Sequence, residues 1–91
     1  MAADDRVERA EGDVEVRILL FAGLRERRGV SEEQLRVPSG TTARQLYERL
    51  FPAGPEGRLP VLFAVDQQWV DGEAPLADGQ EVAFIPPLGG G

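Results

Sequence analysis

Cysteine, histidine and lysine are all missing from this 91-residue chain, and each of its ten basic residues is an arginine. Without cysteine there are no disulfides, no thiol nucleophile and no thiolate metal ligand. Without histidine the commonest general base and the commonest transition-metal ligand are gone too, along with the usual nucleophile and base pairs. Without lysine there is no side-chain amine for isopeptide attachment, so the chain cannot be polymerised through its own side chains. Long apolar runs are also lacking: none approaches the ~18 residues that cross a membrane. The N-terminus has neither an apolar segment nor an Arg-rich, acid-poor targeting pattern, so a soluble cytoplasmic protein is expected. A chain this short forms one domain that buries about 60 to 65% of its unfolded surface, too little to enclose a deep active site.

Charge is present in quantity and is unevenly spread. The net charge is −6, yet residues 14–58 carry eight arginines against six acids. From Leu59 onward there are five acids, Asp66, Asp71, Glu73, Asp78 and Glu81, and no base. An acidic C-terminal third repels a phosphate backbone, which disfavours nucleic acid and favours a partner with a basic surface. Asp71 and Asp78 each precede a glycine and read as turn residues before contact residues.

Residues 1–13 contain five acids and two arginines with no period and read as a disordered acidic leader. Val14 to Phe21 alternates and then turns continuously apolar, as in a strand exposed at its start and buried at its end. Ala22 to Gly29 is a short arginine-rich helix with Gly29 as the cap beyond its last turn. Ser31 to Val37 reads as a second strand pairing back on the first, ended by Pro38-Ser39-Gly40. Thr42 caps a helix, with Gln45 completing a capping box, and Ala43, Leu46, Tyr47 and Leu50 through Phe51 form its apolar face. Residues 52–60 hold three prolines and two glycines and form a loop. Val61 to Val65 reads as a buried strand, Asp66-Gln67-Gln68 as a turn, and Trp69-Val70 as a short strand in which Trp69 belongs to the core or covers the sheet. Asp71-Gly72 and Asp78-Gly79 are turn signals, and Glu81 to Ile85 is the last strand.

The order is strand, strand, helix, strand, short strand, strand. Two hairpin-like halves flank one main helix, so residues 14–88 are expected to form an α+β domain, a mixed sheet packed on that helix with the first and last strands side by side. This is the β-grasp arrangement, and it leaves the C-terminus at the end of a central strand. Beyond that strand come Pro86-Pro87-Leu88 and then Gly89, Gly90 and Gly91. Three glycines have nothing to pack or ligate with and cost the most entropy if ordered. They provide a thin, flexible α-carboxylate that can enter a channel too narrow for a Cβ. The two prolines stiffen the exit and aim the tail outward. A frayed end or a cloning scar is the alternative.

The pattern Phe21-Ala22-x-x-Arg25-Glu26-x-x-Gly29, then Ala64-Val65-Asp66-Gln67, then Pro75-Leu76-x-Asp78-Gly79-x-Glu81-Val82-Ala83-Phe84-Ile85-Pro86-Pro87 with its diglycine end, resembles the MoaD/ThiS sulfur-carrier family. Within that family it is most similar to the molybdopterin synthase small subunits, which share ubiquitin's fold. The resemblance spans residues 14–91, and its most specific piece is the Asp-Gly-x-Glu-Val-Ala-x-x-Pro-Pro-x-x-Gly-Gly ending. Gly89 stands where the family is variable, so it reads as a substitution inside the tail.

The resemblance implies that partners perform the chemistry. An E1-like adenylyltransferase (MoaB/MoeB-like) would use ATP and magnesium to adenylate Gly91, and a persulfide sulfur donor would displace AMP to leave a thiocarboxylate. The large synthase subunit (MoaE-like) would receive the tail in a pocket where sulfur passes to cyclic pyranopterin monophosphate, two transfers building the dithiolene. The chain itself would bind no cofactor or metal and would join the large subunit in a heterotetramer. Gly91 would carry the reactive carboxyl group, and Gly89 and Gly90 would keep the tail thin. Pro86, Pro87 and Leu88 would orient the tail and pack on the partner's groove, or only terminate the strand. Phe21 and Ile85 would form an apolar partner patch, or pack in the core. Arg25 would pair with an acidic group on the activating enzyme, or be a solvated helix arginine. Two other functions stay open: a sulfur carrier or protein modifier of another pathway, such as tRNA thiolation or thiamin synthesis, and a non-covalent β-grasp interaction module.

Overall fold

A computed structural model describes residues 12–53 and 60–86. The acidic leader before Gly12, most of the loop after the main helix, and the tail from Pro87 lie outside the described residues. The elements are β1 (Asp13–Leu20), α1 (Ala22–Arg28), β2 (Glu32–Pro38), α2 (Ala43–Leu50), β3 (Leu62–Val65), β4 (Gln68–Val70) and β5 (Glu81–Ile85). They form a single sheet in the order β2-β1-β5-β3-β4. β1 and β5 are parallel neighbours at its centre, and every other pair is antiparallel. The result is the ubiquitin-like β-grasp expected from the element order.

Strict alternation builds β1: Val14, Val16, Ile18 and Leu20 are buried while Glu15 and Arg17 are exposed, as a two-residue side-chain period requires. The strand starts one residue ahead of the expected boundary at residue 14. Asp13 pairs with Pro38, and the Ser39 N–H donates to the Gly12 carbonyl at 2.9 Å. It also ends one residue early, because Phe21 is the N-cap of α1, with φ −131° and ψ 152°. Gly29 closes α1 in the left-handed region at φ 80°, its N–H donating to the Arg25 carbonyl at 2.8 Å.

α2 begins with the capping box read from Thr42 and Gln45. The Gln45 N–H donates to Thr42 Oγ1 at 3.1 Å, and the Thr42 N–H donates to Gln45 Oε1 at 3.0 Å. Its inner face buries Ala43, Leu46 and Tyr47, followed by Phe51, while Leu50 is half-buried. The Tyr47 ring sits 5.4 Å from that of Phe84, which meets Phe63 edge-on at 5.9 Å. Such tilted and T-shaped contacts suit aromatic quadrupoles. Leu76 completes the core, drawn in where its N–H donates to the Thr41 carbonyl at 2.8 Å.

The turns are fastened to the sheet and do more than solvate it. Asp66 and Gln67 have φ of 50° and 68°, the positive pair that a two-residue hairpin link needs. Asp66 then accepts the Glu81 N–H through Oδ1 at 3.0 Å and donates its own N–H to the Glu81 carbonyl at 2.8 Å. Asp78 accepts the Glu15 N–H at 2.7 Å, and the Gly79 N–H donates to the Glu15 carbonyl at 2.7 Å. Both contacts fix where β5 begins. No helix among the described residues is long and apolar enough to cross a membrane.

Candidate functional site

The helices cover one face of the sheet and leave the other open. Because cross-strand partners share a face, the register gives the open face row by row. Leu19 pairs with Ala83, Ala83 with Ala64, and Ala64 with Trp69, one apolar row across β1, β5, β3 and β4. Toward the tail the next row pairs Leu62 with Ile85. On the other half of the face, over β2 and β1, the same alternation presents Glu15, Arg17, Glu32, Gln34 and Arg36. The open face is therefore divided into a charged half and an apolar half, and the apolar half adjoins the point where the chain leaves the sheet.

Exposure distinguishes this apolar half from ordinary surface. Trp69 is 66% exposed, Leu62 58% and Phe21 43%. Single exposed hydrophobics are unremarkable on soluble proteins, but a contiguous set marks an interaction surface. Of the two places expected for Trp69, core or sheet cover, the structure gives the second, and Leu62 shows that β3 is not buried on both faces. The reason in both cases is period two: Phe63 and Val70 are cross-strand partners turned toward the core, so Leu62 and Trp69 must point away from it. That parity was present in the sequence, where Trp69 and Val70 are adjacent and cannot both face inward in one strand.

The residues expected at the site fall around this surface. Ile85 and Pro86 are half-buried at the end of β5. Since β1 and β5 run parallel, with Leu20 opposite Phe84, Phe21 and Pro86 leave the sheet at the same end. Arg25 lies exposed in the last turn of α1 beside Arg27 and Arg28. Arg28 is tied to both oxygens of Glu33 at 2.7 and 2.9 Å, whereas Arg25 and Arg27 have no ion pair among the described residues. Pro87, Leu88, Gly89, Gly90 and Gly91 lie outside the described residues.

The described part of the chain contains no cluster of three or more acidic, histidine or cysteine residues placed to hold a metal ion. A shallow depression lined by Glu15, Arg17, Gln34, Asp78 and Glu81 lies on the charged half of the face. Its guanidinium is already committed, since Arg17 donates to Glu81 at 2.7 Å and to Glu32 at 3.0 Å. These bonds hold its pKa above the ordinary value, first through the hydrogen bond to Glu81 and then through the charge of Glu32. Arg17 thereby ties β2, β1 and β5 together.

The sequence profile of the ThiS family matches residues 18–91, from the middle of β1 to the last glycine. The chain belongs to the ThiS/MoaD sulfur-carrier family. Within it, the molybdopterin synthase sulfur carrier subunit of Arabidopsis thaliana is 36% identical over 95 residues, covering 97% of this chain and 99% of the relative. The subunit of the same name from Homo sapiens is 36% identical over 83 residues, covering 85% of this chain and 94% of the relative. The Escherichia coli one is 37% identical over 82 residues, covering 84% and 99%. A molybdopterin converting factor subunit 1 from Pyrococcus furiosus superposes with a TM-score of 0.65 at 28% identity, covering 82% of this chain and 99% of that one. The crystal structure of small archaeal modifier protein 1 from Haloferax volcanii, at 21% identity, shares the fold with a TM-score of 0.70, covering 82% of this chain and 99% of that one. The chain is of the MoaD type.

Proposed function

We propose that this chain is the sulfur-carrying small subunit of a cytoplasmic molybdopterin synthase, with Gly91 as the atom-transferring end. The observation that carries the reading is the apolar half of the open sheet face, where Phe21 and Leu62 lie at the end from which central strand β5 leaves the sheet and Trp69 lies one row back on β4. A surface of that kind docks a partner, and the partner then works on whatever leaves the sheet beside it.

A carboxylate at neutral pH is a poor acylating group. A MoeB-like adenylyltransferase would convert the Gly91 carboxylate to an acyl adenylate with ATP and magnesium, giving the carbonyl carbon a good leaving group. Sulfur from a persulfide donor then displaces AMP and leaves a thiocarboxylate. Docked on the MoaE-like large subunit, the thin glycine end reaches a cyclic pyranopterin monophosphate and hands over its sulfur. Phe21, Leu62, Trp69 and Ile85 form the apolar contact, Arg25 a rim contact, and Pro86, Pro87 and Leu88 the guide from strand to pocket.

The test is intact-mass spectrometry after incubation with the cognate adenylyltransferase, ATP, magnesium and a sulfur donor. Exchange of one oxygen for sulfur adds about 16 Da, and fragmentation should locate it at Gly91. An unchanged mass would remove the carrier reading.

A further inference from the structure

Of the two outer strands of the sheet, β4 is only three residues long, whereas β2 runs seven residues beside β1 in unbroken register. Sheet edges are ordinarily protected by brevity, lysine, proline or a bulge. β4 has the first of these protections. β2 has no bulge and no lysine, and its one proline, Pro38, is its last residue. The Ser39 N–H donates to the Gly12 carbonyl at one end of the β1–β2 ladder and the Leu20 N–H to the Ser31 carbonyl at the other, both at 2.9 Å. Hydrogen-bonded pairs alternate along an antiparallel ladder, so Glu33, Leu35 and Val37 bond to β1. Glu32, Gln34 and Arg36 turn their N–H and C=O groups outward, and no described residue takes them up.

This outward series is complementary to itself when a second copy runs antiparallel. A two-fold axis at Gln34 sets Gln34 against itself and Glu32 of each copy opposite Arg36 of the other. A residue on such an axis meets its own kind, and an amide suits the place because it both donates and accepts. Each of these pairs exchanges both of its backbone hydrogen bonds. The side chains of Glu32 and Arg36 are each 51% exposed. Glu32 uses only Oε2 for Arg17, at 3.0 Å, and Arg36 stands 3.9 Å from Glu15, so the pairing lengthens an existing row of alternating charge. On the helix face Glu33, already neutralised by Arg28, meets Leu35. Moving the axis to Leu35 would set Glu32 against Pro38, which has no N–H and whose carbonyl already accepts the Thr41 N–H at 3.1 Å. Moving it to Glu33 would set that carboxylate against itself. Charge and backbone thus select the same register.

We propose that β2 is a self-association edge, through which two copies of this chain join into one continuous sheet about a two-fold axis at Gln34. The axis stands perpendicular to the sheet, so the apolar half over β5, β3 and β4 stays open in both copies. The inference is independent of the carrier reading. One strand edge buries less than the ~1,000 Å² of a durable interface, so the pair forms at high protein concentration.

The test is sedimentation velocity of the full chain from about 10 μM to about 1 mM. Salt at about 150 mM confines the repulsion between chains of net charge −6 to about 8 Å. Wild type should pass from monomer toward dimer across that range, and a wild type that stays monomeric at its top overturns the proposal. Glu32→Arg and Arg36→Glu each set like charges opposite one another at both ends of the strand pair and should weaken the dimer at least about tenfold. Mixed one to one, the two variants present opposite charges at both ends and should associate within about threefold of wild type. A dimer that neither charge variant weakens, a mixture no better than either variant alone, or a dimer lost in Trp69→Ala places the contact elsewhere and overturns the proposal. Should either charge variant fail to fold by circular dichroism, the nearly isosteric Gln34→Glu is judged in its place. It sets two carboxylates together on the axis and should weaken the dimer about threefold or more, and unchanged association overturns the proposal.

Discussion

Gly72 is the residue at which the core depends most on having no side chain. Its φ is +88°, and a Cβ built there would lie 2.7 Å from both Cδ2 and Cε2 of Phe63 and 3.4 Å from Arg44 Nη2. Both neighbours are engaged elsewhere. Phe63 is wedged edge-on against Phe84 at 5.9 Å, and Arg44 lies over the Phe63 ring at 5.3 Å while donating to the Asp71 carbonyl at 2.9 Å and to the Glu73 carboxylate. The Arg44 N–H also donates to the Gly72 carbonyl at 3.0 Å, joining the start of α2 to this turn. Gly72→Ala should therefore carry a left-handed backbone penalty of about 1 kcal/mol together with overpacking of about 1 to 3 kcal/mol. At 4 to 8 °C per kcal/mol for a domain of this size, thermal denaturation followed by circular dichroism should show a Tm lower by roughly 10 °C or more. Gly40→Ala is the control, since Gly40 has φ +94° but nothing within 4 Å of a new Cβ, and should show the backbone part alone. Equal drops in the two variants would mean that the Phe63 ring gives way.

Among the elements, α2 shows what local sequence can specify. Eight residues are too few for a stable isolated helix, so packing of Leu46, Tyr47 and Phe51 supplies most of its stability and the cap fixes where it starts. Thr42→Ala removes the acceptor for the Gln45 N–H and should lower stability by about 1 kcal/mol, read as a lower urea midpoint at unchanged m-value. A changed m-value would instead indicate that the helix end frays. The capping box, the glycine cap on α1, the Asp-Gly turns and the extent of β5 were all legible in the sequence because each is set by residues within a few positions of one another. The boundaries of β1 were not, because Asp13 and Phe21 are assigned by what lies opposite or after them. The roles of Asp66 and Asp78 were also hidden, since their partners Glu81 and Glu15 are distant in sequence.

For the molecule as a whole, the division of the open face is the feature that sequence reading lost. Phe21 and Ile85 could be placed at strand ends from the sequence, whereas choosing between core and sheet cover for Trp69 needed its cross-strand alignment with Ala64. Once Trp69 is aligned with Ala64, it becomes the largest side chain of the apolar half and the one with most area left to bury. Truncating it should separate binding from folding. At 66% exposure its removal takes little from the core, so Trp69→Ala should change stability by no more than about 0.5 kcal/mol. A tryptophan anchor buried in a docking surface typically contributes about 2 kcal/mol or more, so affinity for the large synthase subunit, measured by titration calorimetry, should fall about 30-fold. Gln34→Ala, on the charged half of the same face, should leave affinity unchanged. If Trp69→Ala binds as wild type does while Gln34→Ala does not, the partner sits over β2 and β1, and the apolar half is not the docking surface.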